Sequence, residues 1–337
     1  MNKQNLLDKR HLFSGHLITL MSILILLLMA MLILSFMLGV KNYSLHMIYN
    51  AIFNYQDISA HNIIRDIRIP REIAAMLVGM SLACGGAVMQ GVTKNPLADP
   101  SLIGLNSGAA LGISILFALN SGANFFLIIL AGFVGAMVGG TIVLLIGLSK
   151  KGGFNPMRII LAGAAVSSLL LAFAEGIAIY FKTNQSSMLW SSGGVAGTTW
   201  LQLKYAAPVI LFVIILILLI GHQLTVLSLG DEMAQGLGVN LNWVRVIFSL
   251  LTMILAGVAV AMAGTLAFVG LMVPHIARIL VGVDYRKLLP VSTLLGGIFL
   301  VFADILARML GESPVGAIIS IMGVPFFIYL VRKLGIS

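Results

Sequence analysis

Long apolar stretches separated by short polar ones make up most of the chain. The first, from about Leu17 to Val40, is too long for the apolar part of a secretion signal and has no small-residue cleavage pattern after it, so it predicts a retained membrane helix. Breaks at polar, Pro and Asn/Gly positions delimit further spans near Ile73 to Gly91, Ser101 to Leu119, Phe125 to Leu148, Pro156 to Tyr180 and Tyr205 to Gly221. Four more follow, near Trp243 to Ala263, Phe268 to Val283, Leu288 to Ala307 and Pro314 to Leu334. Each approaches the roughly 20 apolar residues that cross a hydrocarbon core. The pattern predicts an all-α polytopic membrane protein of about ten transmembrane helices, forming one transmembrane domain over residues 1–337.

Composition agrees and narrows the choice. With 60% hydrophobic and 9% charged residues, large aqueous domains are excluded. The single cysteine, Cys84, rules out an internal disulfide or a Cys-based metal motif. A net charge of +9 would signal nucleic acid in a soluble protein, but here its placement relative to the membrane decides its meaning, and no nucleic-acid partner is expected.

Ten spans put both termini on one side. If that side is cytoplasmic, the inner segments hold Lys3, Lys9, Arg10, Lys94, Lys150, Lys151, Arg158, Arg245, Arg286, Lys287, Arg332 and Lys333. The outer ones hold Lys41, Arg65, Arg68, Arg71, Lys182, Lys204 and Arg308, and Arg278 falls within a span. This excess predicts cytoplasmic termini, with 1–16 as the N-terminal segment and 222–242 as the longest cytoplasmic connection. The outer cluster Arg65, Arg68 and Arg71 in RDIRIPRE breaks the rule. It reads either as a helix end snorkelling to headgroups or as a docking patch for acidic groups.

Glycines at spacing four, such as Gly104, Gly108 and Gly112, predict closely packed helices. Asn95-Pro96, Asp99-Pro100 and Pro274-His275 mark helix breaks at membrane boundaries or inside spans. Asp99 reads as an N-cap with Pro100 at the first helical position. In LSLGDEMAQGLGVN a short helix is expected to begin near Asp231 and to close at Gly236 or Gly238 with a left-handed residue, after which Asn240 caps the next span. That segment is either a rigid knob for another protein or an ordinary connector.

The chain lacks the phosphate-cradling G-x-x-x-x-G-K-[ST] loop, so ATP chemistry would need a partner, and its six histidines are scattered, so no metal site is expected. Ser107 and His275 lie too far apart, without a third orienting motif, to read as a hydrolase dyad. Two intramembrane acids stand out. Asp304 is placed to pair with Arg308 at i+4, whereas Glu175 reads either as a proton carrier or as a carboxylate snorkelling at the outer end of its span.

RIPREIAAMLVGMSLACGGAVMQGVTKNPLADPSLIGLNSGAALG, LGDEMAQGLGV, FVGLMVPHIAR and ADILAR followed by ESPVGAIISIMGVPFFIYLVRK together resemble the iron-siderophore, haem and vitamin B12 permease family of ABC importers, from Arg68 to Lys333. The resemblance implies the type II importer permease fold and a multi-pass subunit of the bacterial cytoplasmic membrane. It implies a second permease, homologous or identical, two cytosolic ATPases that carry ATP and magnesium, and an extracytoplasmic binding protein. The chain itself would be neither an enzyme nor a cofactor carrier. Siderophore-bound iron is the expected cargo, with haem and cobalamin as alternatives within the family and a proton-driven transporter as the alternative outside it. The resemblance also assigns Arg68, Arg71 and Arg308, with Arg65 as a weaker addition, to binding-protein docking. It assigns Gly230, Asp231, Glu232, Ala234, Gly236, Leu237 and Gly238 to ATPase coupling.

Overall fold

A computed structural model describes residues 3–100, 104–120, 122–148 and 156–333. Ser101, the expected start of the third span, and the expected inner lysines Lys150 and Lys151 lie outside the described residues. The described part is helical, in the order α1 (Lys3–Met37), α2 (Leu45–Phe53), α3 (Ser59–Asn62), a π-helical segment (Ile63–Arg68), α4 (Ile69–Thr93), α5 (Leu105–Leu119), α6 (Phe125–Leu148) and α7 (Pro156–Tyr180). There follow α8 (Asn184–Ser191), α9 (Trp200–Ile220), α10 (His222–Ser228), α11 (Asp231–Gly236), α12 (Leu241–Ala263), α13 (Val269–Val281), α14 (Tyr285–Met309) and α15 (Val315–Lys333).

Among the described residues seven helices are long and apolar enough to cross a bilayer, and three shorter apolar ones, α5, α13 and the apolar part of α15, bring the apolar segments to ten. At 1.5 Å per residue α13 is about 20 Å long, short of a hydrocarbon core of about 30 Å. Pro274 lies inside it, and proline leaves the carbonyl four residues earlier without its helical donor. That carbonyl, Gly270, accepts instead from the side-chain amide of Gln90 on α4 at 3.3 Å. Burying irregular backbone against protein in this way makes a broken helix tolerable at membrane depth.

α4 is the axis of the bundle, buried along most of its length and packed on α14, α12 and α13. Its small residues let neighbours approach to backbone contact. A Cβ added at Gly79 would lie 2.1 Å from the Gly296 carbonyl oxygen, and one at Gly86 would lie 1.9 Å from that of Gly270. Gly108 and Gly135 make the same kind of reciprocal contact between α5 and α6, at 2.2 Å each way. The spaced glycines of the sequence are therefore helix seams. By contrast α1 is almost wholly exposed along its apolar window, as a peripheral lipid-facing span would be.

Four sequence expectations change. The second span does not begin at Ile73, because helical backbone runs unbroken from Ser59 through the π segment to Thr93, and the Arg65/Arg68/Arg71 cluster lies on it. The π segment lies just before Pro70, which has no N–H to give, and Ile69 N–H bonds five residues back to Ile64. The long helix of the third span, α5, starts only at Leu105, after Gly104 in the left-handed conformation, although a helical turn already begins at Pro100 directly after Asp99. The sixth span starts earlier than Tyr205, at Trp200, where Thr199 and Gln202 form a reciprocal capping box. The 222–242 connection contains a helix, α10, ahead of the expected one.

The seams give a stability prediction. Gly79→Val drives a branched side chain into the α14 backbone and should cost about 3 kcal/mol or more, whereas Gly176→Ala, with nothing within 4 Å, should be neutral. Thermal unfolding of the detergent-solubilised protein reads the difference as a lowered midpoint for the first variant only.

Candidate functional site

Chemistry concentrates at the two ends of α4. At its start, Arg71 chelates Asp304 of α14, with Nε 3.0 and 3.1 Å from the two carboxylate oxygens and Nη2 3.0 Å from Oδ1, while its Nη1 donates to Glu312 at 2.8 Å. Arg308, one turn beyond Asp304, pairs with it at 3.2 Å as the i+4 spacing foretold, and Arg308 Nη2 lies 2.6 Å from Glu72. Asp304 and Glu72 are fully buried. The arginines also finish α1. Arg308 donates to the carbonyls of Ser35 and Leu38 at 3.0 Å and to the Ser35 hydroxyl, and Arg68 donates to the Phe36 carbonyl at 2.7 Å and to that of Lys41. The Arg68 guanidinium also lies over the Tyr43 ring, 4.5 Å from its centroid. The last carbonyls of a helix lack internal donors and carry its negative dipole end, so cations belong there.

This geometry revises the reading of the arginine cluster. Arg68, Arg71 and Arg308 are 7%, 5% and 3% exposed and fully engaged within the chain, so they do not form a free surface patch. Arg65, taken as the weakest member, is the exposed one. It lies over the Tyr55 ring at 4.7 Å, and its backbone carbonyl accepts from the Trp200 indole at 2.9 Å. The sequence reading missed Glu72 and Glu312, the acids that neutralise the cluster together with Asp304.

At the far end of α4, Lys94 adopts a left-handed conformation and stops the helix, and Asn95 then forms a turn in which its side chain accepts from Leu97 N–H at 2.9 Å. Asn95-Pro96 is thus a helix break, as expected. Lys94 Nζ lies 2.5 Å from Asp231, which Arg245 of α12 also reaches at 2.9 and 3.0 Å. The hydrogen bond from Lys94, with Arg245 beside it, holds the Asp231 carboxyl below the usual carboxylate range. Asp231 does begin α11, and Asn240 does cap α12 by accepting from Trp243 N–H.

The closing residue is resolved between its two candidates. Gly238 is left-handed at φ +79°, whereas Gly236 is helical, so its expected turn role is withdrawn. Gly230 also has a positive φ, +114°, and Ala234 is fully buried beneath the segment. Glu232 is exposed, and Leu229, Met233 and Leu237, spaced four apart, are 50%, 62% and 65% exposed. Thr225 of α10 accepts from Tyr285 N–H and donates to Asp284 at 3.0 Å each, so the α10–α11 segment is tied to α4, α12 and α14 together.

The remaining motif residues fall between the ends. Gln90 Oε1 accepts from Arg278 at 2.9 Å, so one amide serves both the Pro274 break and the intramembrane arginine. His275 meets the Phe326 ring edge-on at 5.8 Å, and the Ser107 hydroxyl donates to the Gly104 carbonyl, which supplies no hydrolytic pairing. Among the described residues no group of three or more His, Cys, Asp or Glu could hold a metal ion. Near the arginine end, α5, α7, α8 and Thr265 enclose a cavity of about 560 Å³ that Glu175 faces.

Comparison with known proteins places this geometry. The profile of the FecCD transport family matches residues 26–333. The chain is 46% identical over 306 residues to the iron(3+)-hydroxamate import system permease protein FhuB of Bacillus subtilis (strain 168), covering 89% of this chain and 79% of the relative. It is 40% identical over 276 residues to the hemin transport system permease protein HmuU of Yersinia pestis, covering 80% and 82%. A solved metal-chelate type ABC transporter in an inward-facing conformation superposes with a TM-score of 0.82 at 27% identity, covering 94% of this chain and 99% of that one.

The two glycines of the α11 segment can be separated by experiment. Gly238→Val forces a β-branched residue into left-handed backbone at about 1–2 kcal/mol, while Gly236→Ala fills open space on a helix. Amide exchange over 230–240 should accelerate severalfold in the first variant and stay at or below the unmodified rate in the second.

Proposed function

The chain belongs to the FecCD transport family, and from that membership we propose that this ABC-importer permease carries ferric siderophores, of the iron-hydroxamate class in particular. The observation that carries the cargo assignment is the 46% identity to an iron(3+)-hydroxamate permease over nearly the whole chain. The Lys/Arg distribution supports cytoplasmic termini, with the Asp231 end facing the cytosol and the arginine end facing outward.

In this reading two cytosolic ATPases act on the α10–α11 segment. Leu229, Met233 and Leu237 present an apolar stripe that fits a groove on another protein, and Glu232, Gly230 and Gly238 flank it. Because the segment is pinned by Asp231 to Lys94 and Arg245, and by Thr225 to Asp284, a displacement there reaches α4, α12 and α14 at once. Packed helices transmit such a shift with little loss, since glycine-to-backbone seams leave no slack. A second permease completes the pathway, and a binding protein delivers cargo at the arginine end. There the exposed Arg65, stacked over Tyr55, is placed to meet an acidic lobe, while Arg68, Arg71 and Arg308 act from beneath by holding that surface in shape.

The test is uptake of a ferric trihydroxamate by the permease reconstituted with its ATPase and binding protein. Uptake should require ATP, persist when the proton gradient is collapsed at constant ATP, and fall to background when the P-loop lysine of the ATPase is replaced. Uptake that is lost on uncoupling and indifferent to the ATPase substitution would move the chain to the secondary transporters.

A further inference from the structure

The cavity near the arginine end has an unusual charge. Its lining mixes apolar groups with neutral polar ones, Ser114, Asn184, Ser187, Ser191 and Thr265, and contains one ionisable side chain, Glu175; no lysine, arginine or histidine lines it. Lys182, the nearest lysine along the chain, sits in the exposed turn beyond α7 and is not part of the wall. Glu175 has no hydrogen-bond or ion-pair partner among the described residues. The contrast with the same end of the bundle is sharp, for there Asp304 and Glu72 are answered by Arg71 and Arg308. Glu175 is exposed near the C-terminal end of α7, and without a partner among the described residues it is placed to meet something that enters.

Asn184, at the exposed start of α8, adds an amide donor to the same wall. The wall itself is fixed, since α8 is pinned to the α12–α13 turn by the hydrogen bond from Thr265 to the Ser191 carbonyl at 2.6 Å and from Gly194 N–H to Ala263 at 2.7 Å. A preformed, mostly apolar cavity with a few donors and one carboxylate suits a ligand that brings acceptor oxygens and carries no negative charge.

We propose that this cavity is a charge filter on the translocation path, in which Glu175 admits neutral and cationic ferric chelates and repels anionic ones. This rests on the importer reading above and narrows its cargo. Iron(III) held by three hydroxamates is neutral, and a pendant ammonium makes it a monocation. Iron(III) held by three catecholates carries three negative charges and is the excluded class. Asn184 supplies a donor for the chelate oxygens, and Glu175 sets the sign of the field.

The field can be measured without transport. Cys84, the one native cysteine, is fully buried, so Ile179→Cys introduces a single reactive thiol, one helical turn from Glu175 and on the cavity wall. The full-length permease in membranes is labelled with cationic, anionic and neutral methanethiosulfonates of similar size, the neutral reagent correcting for thiol reactivity. The cationic-to-anionic rate ratio should fall about tenfold when Glu175→Gln is added. A ratio indifferent to Glu175→Gln overturns the filter. In the reconstituted importer, Glu175→Lys should lower uptake of an ammonium-bearing ferric trihydroxamate at least tenfold relative to the neutral one, with binding-protein affinities measured separately. ATP-driven uptake in which that preference does not move leaves the importer reading standing and removes the filter. A Glu175-dependent label ratio with no ATP-driven uptake of any chelate keeps the field and removes the importer reading.

Discussion

Two guanidiniums and two carboxylates, those of Arg71, Arg308, Asp304 and Glu72, are withdrawn from water together at one end of the bundle. None could be buried there alone, because an unpaired buried charge costs several kcal/mol. Their joint burial fixes which helices must meet. Arg71 and Glu72 stand on α4 and Asp304 and Arg308 on α14, so the charges hold these helices in one antiparallel register, and the Gly79–Gly296 seam allows the approach that the charges require. Arg308, together with Arg68, also donates to the carbonyls at the end of α1, a span with little side-chain burial of its own. Substituting Arg68 and Arg71 by acids would therefore disturb the packing of α1, α4 and α14.

The opposite end of α4 uses the same physics with more exposure. Asp231 has a half-exposed side chain, so its pairs with Lys94 and Arg245 are worth less than the buried ones and can be remade as the segment moves. One end is locked in the interior and the other reaches solvent, with a helix of about 37 Å between them. Among the described residues Glu175 is the one carboxylate that lines the cavity.

Most spans were legible in the sequence because a bilayer imposes a length and a polarity that composition alone reveals. The i+4 relation of Asp304 and Arg308 was readable for the same local reason, as was the Asn240 cap. The bidentate pairing of Arg71 with Asp304 was not, since it joins residues 233 positions apart. Without it, the arginines that broke the positive-inside pattern looked exposed. Asp99-Pro100 does begin a helical turn at Pro100, but the long helix α5 starts only after the left-handed Gly104, a break that no local signature announced. Gly236 and Gly238 were indistinguishable as helix stops until backbone geometry chose the second. Gln90 carried no signal because its partner is a carbonyl made available by a proline on another helix.

If the α4–α14 charge pair organises the fold, Arg71→Met and Asp304→Asn must be energetically coupled in a double-mutant cycle. Unfolding free energies would be measured in bicelles for the unmodified protein, both single variants and the double variant. Each single change should cost about 3–5 kcal/mol, and the double variant should be less destabilised than their sum by on the order of 3 kcal/mol, because neither partner is then left buried alone. Costs that add to within about 0.5 kcal/mol would show the two side chains to be energetically independent and would contradict the account.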